Sequence, residues 1–129
     1  MATRQEQNLE LGRRINELSN ARDDGVWALF SPGFVQHAGG QTSGVNEARE
    51  GDARLFAAIP DAVRTIDREV ADDSMLVQQF HFNGAVKATG TPIRWEGCSW
   101  MRIENGLIAE AWIFWDPSQL QPRRTVQEV

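Results

Sequence analysis

The stretch Arg102-Ile103-Glu104-Asn105-Gly106-Leu107-Ile108-Ala109-Glu110-Ala111-Trp112, running on through Ile113-Phe114-Trp115-Asp116, decides how this chain folds. Two runs rich in β-formers flank Asn105-Gly106. That dipeptide is favoured in two-residue type I′ turns, where both central residues need positive φ. The pattern predicts a hairpin of strands 93–104 and 107–116. With a two-residue loop, Glu104 faces Leu107 and Ile103 faces Ile108, and cross-strand partners share a face. One face then carries Trp95, Gly97, Ser99, Met101 and Ile103 with Ile108, Glu110, Trp112, Phe114 and Asp116. The other carries Arg94, Glu96, Cys98, Trp100, Arg102 and Glu104 with Leu107, Ala109, Ala111, Ile113 and Trp115. Both faces hold large apolar groups, which a sheet solvated on one side does not need. The first face is therefore expected under helices. The second, with Cys98, Trp100, Ile113 and Trp115, is expected against another subunit. A β-bulge would shift these faces.

Upstream, two further strands are expected over residues 62–71 and 75–83, with residues 85–89 continuing after a kink at Gly84 and a turn at Thr89-Gly90-Thr91-Pro92. Three helices are expected before them. Leu9, Leu11, Ile15 and Leu18 recur near helical spacing in residues 4–19. Asp23 and Asp24 start a short second helix, Gly25 to Phe30, that Ser31-Pro32-Gly33 ends. Ser43 reads as the N-cap of a third helix running to about Ile59. Its apolar face is Val45, Ala48, Leu55, Phe56 and Ile59, with Asp52 out of place among them. Phe34 to His37 is a short strand broken by Gly39-Gly40. Helices first and a meandering sheet last make an α+β pattern. No repeat, linker or low-complexity tract interrupts it, so residues 1–129 read as a single domain.

Composition bounds the function. Thirteen Lys and Arg against eighteen Asp and Glu give a net charge of −5, which argues against a nucleic-acid partner, since such binding rests on a basic face. The single cysteine, Cys98, rules out an intramolecular disulfide and a cysteine-only metal cluster. His37 and His81 are the only histidines, too few for a three-histidine metal site, and no phosphate loop, dinucleotide fingerprint or carboxylate metal box is present. A site with no metal and no cofactor is expected. No apolar run approaches a membrane span and the polar start, Met-Ala-Thr-Arg-Gln-Glu-Gln, lacks the core of a signal peptide. A cytoplasmic protein with no membrane partner is expected. Five tryptophans and six phenylalanines, with four of the tryptophans between positions 95 and 115, make either a large core, an aromatic-walled pocket or a subunit interface.

Three segments resemble a known family. Pro60-Asp61-Ala62-Val63 through Glu69-Val70-Ala71-Asp72, Phe34-Val35-Gln36-His37, and the closing Arg102-x-Glu104-x-Gly106-x-Ile108-x-Glu110-x-Trp112 hairpin with Asp116 look like the SnoaL-like polyketide cyclases. These belong to the NTF2-like superfamily, together with limonene epoxide hydrolases and ketosteroid isomerases. The resemblance implies an α+β cone: three N-terminal helices packed on a curved, mostly antiparallel sheet that encloses a deep pocket. It also implies homodimers through the outer sheet face, here Trp100, Ile113 and Trp115.

Asp116 falls on the face of Trp112 and Phe114, and it matches the family's catalytic aspartate. A carboxylate among aromatics has a raised pKa and suits a proton shuttle; otherwise Asp116 caps the Pro117-Ser118 turn. His81 reads as its acid/base partner or as an interface histidine, and His37 as a pocket residue or a solvated strand end. On the epoxide-hydrolase pattern, Gln79 and His81 replace an arginine and a second aspartate. The cyclases' catalytic histidine would fall near Trp100 to Arg102, where none stands. Asp52 reads as a polar position reaching solvent beside Gly51, or as a pocket carboxylate. Trp27, Phe56, Gln79, Trp95, Trp112 and Phe114 are the expected substrate walls. Cys98 reads as a small buried hydrophobe. The expected activity is acid/base isomerisation or aldol-type cyclisation of a hydrophobic polycyclic or terpenoid carbonyl compound. Epoxide hydrolysis and ligand binding without turnover are the alternatives.

Overall fold

A computed structural model describes residues 1–120; the expected domain limit at residue 129 lies outside them. Helix α1 (Arg4–Asn20) starts at Thr3, whose hydroxyl accepts from the Glu6 N–H while the Glu6 carboxylate accepts from the Thr3 N–H. The expected second helix is a single 3₁₀ segment, Asp24–Leu29, capped by Asp23. Strand β1 (Phe30–Ala38) follows directly, so Ser31-Pro32-Gly33 is an irregular part of a strand rather than a helix stop. Gly39 and Gly40 both take positive φ and turn the chain into a short strand β2 (Gln41–Ser43). Helix α2 (Val45–Ala58) is capped from Gly44, with Glu47 accepting from the Gly44 N–H. Ser43, expected at the cap, instead ends β2 and pairs with Gln36.

Strands β3 (Val63–Ala71), β4 (Met75–Ala85), β5 (Pro92–Glu104) and β6 (Leu107–Trp115) form the antiparallel part of a six-stranded, open, curved sheet ordered β2-β1-β6-β5-β4-β3. Only β1 and β6 run parallel. Gly84 lies within β4, because an added Cβ there would meet Ile59 Cγ2 at 2.5 Å and Ala62 Cα at 3.1 Å. The α2–β3 connection therefore packs directly on that strand. A 3₁₀ turn, Pro117–Leu120, follows β6.

Asn105 and Gly106 have φ of 54° and 75°, as the hairpin requires. The register holds for two pairs, Glu104 with Leu107 and Ile103 with Ile108. It then slips: Arg102 faces Glu110, so Ala109 is the extra residue of a β-bulge. Every later residue of β6 moves to the opposite face. Ala111, Ile113 and Trp115 now share the inner face with Met101, Ser99 and Gly97, and Trp112 and Phe114 share the outer face with Trp100 and Cys98. The bulge keeps Ile108 and Ala109 both buried and turns Glu110 outward to Arg102 and His37. The unbulged register would have placed that carboxylate in the core.

The inner face carries two apolar clusters. One joins Phe34, Leu76, Met101, Ile103, Ile108 and Ala111 to α1 and α2 through Leu9, Ile15, Val45 and Ala48. The other joins Ile59, Ala62, Phe80, Phe82 and Trp95 to Leu55 and Phe56. No helix among the described residues is long and apolar enough to cross a membrane.

Candidate functional site

Between the helices and the inner sheet face lies a cavity of about 370 Å³ whose wall draws on both clusters. Its size is within the usual range for small-molecule sites, about 300–1,000 Å³. Trp27, Phe30, Phe34, Phe56, Phe80, Phe82, Trp95 and Trp115 supply aromatic surface. Phe82 and Trp95 stack at 4.7 Å, and Trp27, Phe30 and Phe34 form a chain of tilted and edge contacts. Into this apolar shell project Asn16 and Ser19 from α1, Gln36 from β1, Asp52 from α2, Arg64 from β3, Gln78 from β4 and Ser99 from β5.

Asp52 is one turn past Ala48 on the inward face of α2, with Leu55 and Phe56 beyond it. Its carboxylate has no hydrogen-bond donor among the described residues. Burial pushes its pKa up from 3.8 to about 6, against the opposing pull of the Arg64 and Arg22 charges. Arg22 is held over the Phe56 ring at 3.6 Å while donating to the Pro60 and Ala62 carbonyls. Arg64 is lowered to about 10 by burial, partly offset by Asp52. It donates to Asn16 Oδ1 and Gln78 Oε1 and lies over Phe80. The Ser99 hydroxyl, on a residue 5% exposed, has no partner among the described residues and faces the cavity. A carboxyl group raised toward neutrality, an arginine and a hydroxyl around an apolar cavity are groups that can bind a polar ligand atom or exchange a proton with it.

The residues expected from sequence divide sharply. Trp27, Phe56 and Trp95 line this cavity, and so do Ile113 and Trp115, which were expected at a subunit interface. Gln79, Trp112 and Phe114 lie outside it, the last two because of the Ala109 bulge. Asp116 is exposed beyond the end of β6, where its carboxylate accepts from the Ser118 N–H at 2.9 Å, and this bond holds its pKa below the usual value. Asp116 is thus a turn cap and not a pocket acid. His37 and His81 lie on the outer face, far from one another in the strand order. His37 bonds Glu110 at 2.6 Å and stacks on Trp112; His81 Nδ1 bonds Asp67 at 2.8 Å. Asp116, His37 and His81 do not converge. Cys98 is half-buried on that outer face.

The carboxylate that does reach the cavity, Asp52, had its signal in the sequence: an acid on an otherwise apolar helical face. Arg64 had one too, sharing strand parity with Ile66, on a strand whose Val63 is 50% exposed.

Comparison with known proteins agrees with this architecture. A protein from Jannaschia sp. CCS1 assigned as a SnoaL-like polyketide cyclase superposes with a TM-score of 0.80 at 20% identity, over 95% of this chain and 98% of that one. A SnoaL-like polyketide cyclase from Agrobacterium tumefaciens C58 gives 0.78 at 18% identity, over 94% and 97%. A protein of ketosteroid isomerase-like fold from Catenulispora acidiphila, bound to trimethylamine, gives 0.73 at 19%, over 86% and 88%. No curated protein matches the sequence. Residues 13–111 match the family model of the SnoaL-like domain, from the middle of α1 to the cavity-lining part of β6, and the chain belongs to that family.

Proposed function

We propose that this chain is a cofactor-independent acid/base enzyme acting on a hydrophobic, polycyclic or terpenoid carbonyl compound, with Asp52 as the group that moves the proton. The observation that supports it is a carboxyl group inside an aromatic cavity, without a hydrogen-bond donor among the described residues and raised to about 6. Near neutral pH it is ionised yet basic enough to accept a carbon-bound proton next to a carbonyl. The electron pair of that C–H bond moves to the carbonyl oxygen, giving an enolate, and the Ser99 hydroxyl is a donor available to it. Return of the proton from Asp52 to a different carbon is isomerisation. Attack of the enolate carbon on a second carbonyl is aldol cyclisation, in which Asp52 gives its proton to the new alkoxide. Epoxide hydrolysis gains no support, since Gln79 and His81 already depart from that family's pattern and both lie, with Asp116, away from the cavity.

The scatter of Asp116, His37 and His81 favours the second reading, a site that binds without turnover. Proton exchange separates the two. With 2-tetralone, an enolisable bicyclic ketone, in D₂O, wild-type protein is expected to exchange α-protons faster than buffer. Asp52→Asn should slow exchange by roughly 10²–10⁴, the usual worth of a positioned acid/base group, while tryptophan quenching by the ketone persists. Binding with no exchange above buffer, or equal exchange by the variant, would leave the binding reading ahead.

A further inference from the structure

Arg64 meets the cavity with one nitrogen committed and an edge unused. Nη1 donates to Asn16 Oδ1 at 2.9 Å and to Gln78 Oε1 at 3.1 Å. The backbone is pinned as well: the Arg64 N–H donates to Asn20 Oδ1, and the Asn16 and Asn20 amides donate to its carbonyl. The Phe80 ring lies 4.0 Å beneath the guanidinium carbon. Nε and Nη2 have no acceptor among the described residues. Their N–H bonds run parallel along one edge of the guanidinium, the edge that matches the two oxygens of a carboxylate. No carboxylate among the described residues takes that place. Asp52 acts on Arg64 through space, with no ion-pair contact between them. Among the described residues lining the cavity, Arg64 is the one cation and Asp52 the one acid. A cation held in an apolar wall without a contact partner is stabilised by a bound anion.

We propose that the cavity takes an aromatic or polycyclic monocarboxylate, held by its carboxylate on the Nε–Nη2 edge of Arg64 with its apolar skeleton along the aromatic wall. This rests on the reading of the cavity as the substrate site and narrows the substrate from a carbonyl compound to a keto acid. Arg64 anchors and orients the substrate. Asn16, Gln78 and Phe80 keep the guanidinium plane fixed, so the fork needs little reordering on binding.

A matched pair of probes tests the idea: 1-naphthylacetate and its neutral amide, 1-naphthylacetamide, titrated by calorimetry and tryptophan fluorescence. Wild-type protein is expected to bind the acid at least about tenfold more tightly than the amide. Arg64→Lys, which keeps the charge and loses the fork, should lose most of that preference. Arg64→Met should abolish it. Should Arg64→Met fail to fold, the wild-type ratio and Arg64→Lys still decide. A wild-type ratio near one, no binding of the acid at millimolar concentration, or an unchanged ratio in Arg64→Lys would overturn the proposal. The outcome is independent of the proton-transfer test. A ratio near one with exchange lost in Asp52→Asn removes the carboxylate and keeps the acid/base site. A high ratio with full exchange in Asp52→Asn does the opposite.

Discussion

Asp52 and Asp116 show how two aspartates of one chain acquire opposite properties from their surroundings. Asp52 binds its proton more tightly in the folded state than in the unfolded one. Stability is therefore greatest below its unfolded value of 3.8, where both states are protonated, and falls as pH rises through about 6. Lifting the group from 3.8 to about 6 costs at most about 3 kcal/mol once both states are ionised. Asp52→Asn removes that cost. The variant is expected to melt at a higher temperature than wild type at pH 7 to 8, with the gap closing toward pH 4. A gap that is absent at neutral pH, or that widens in acid, would show that Asp52 is not desolvated. Asp116 behaves in the reverse sense: its lowered pKa comes from the Ser118 N–H bond, so its small contribution is present at neutral pH and fades in acid. Asp116→Asn should destabilise slightly and leave proton exchange at the wild-type rate.

At the scale of elements, close packing between α1 and β4 depends on a missing side chain. A Cβ on Gly12 would stand 2.5 Å from Leu76 Cδ2 and 2.7 Å from Gln78 Nε2. Alanine usually favours a helix interior by up to about 1 kcal/mol over glycine. Here overpacking should outweigh that gain, because Leu76 and Gln78 are both almost fully buried and have little room to shift. Gly12→Ala is expected to lower stability by about 1–2 kcal/mol in urea unfolding, from an overpacking cost of about 1–3 kcal/mol. It should also weaken ligand binding, since Gln78 supports Arg64. A more stable variant would mean that α1 can lift from the sheet at little cost.

The same scale explains what could be read in advance. Asn105-Gly106 announces its turn because few residues accept two successive positive φ angles, and α1 and α2 show their inward faces through their spacing. The order of elements followed from these; the family resemblance came from Phe34–His37, Pro60–Asp72 and the closing hairpin, and the pocket from what that resemblance implies. The inner face of β6 did not, because a bulge leaves no compulsory residue type behind. Its trace is Glu110, a charge that an unbulged hairpin would have buried beside Ile108. The slip at Ala109 falls where strict alternation would have turned the Glu110 carboxylate inward and broken its hydrogen bond with His37. Asp116 was misplaced by one such residue, and the aromatic walls Trp112 and Phe114 with it.

For the whole molecule, the outer sheet face is the unsatisfied surface. Val70, Val77, Trp100 and Trp112 line up across four strands, ending at His37 stacked on Trp112. Trp100, Phe114 and Val70 are 46%, 58% and 67% exposed in the single chain. This face is expected to pair two copies, with Trp100, Trp112 and Phe114 in place of the Ile113 and Trp115 suggested by the unbulged hairpin. Trp100→Glu removes apolar surface that contributes little to the core of one chain. It should therefore sediment as a monomer with a nearly unchanged circular dichroism spectrum, whereas wild type is expected to sediment as a dimer. A dimeric Trp100→Glu, or a monomeric wild type, would remove this face from the assembly.

The strand order also bears on how the protein comes into being on the ribosome. β1 and β2 join the rest of the sheet only through β6, the last strand to be made. Until Trp115 has emerged, β1 has no neighbour but β2, α2 rests on strands that are themselves detached, and the cavity lacks the wall that Ala111, Ile113 and Trp115 supply. At about 5–20 residues per second, that wait lasts on the order of 4–15 s after β1 is complete. During it, Phe30, Phe34 and Trp27 have no sheet to cover them. The sheet is thus expected to close only once β6 has emerged, and slowly, since β1 pairs with a strand far along the chain. A ribosome-bound chain ending at residue 105 should stay protease-sensitive throughout, and a truncation that removes β6 should give a chain that chaperones hold rather than a smaller folded sheet.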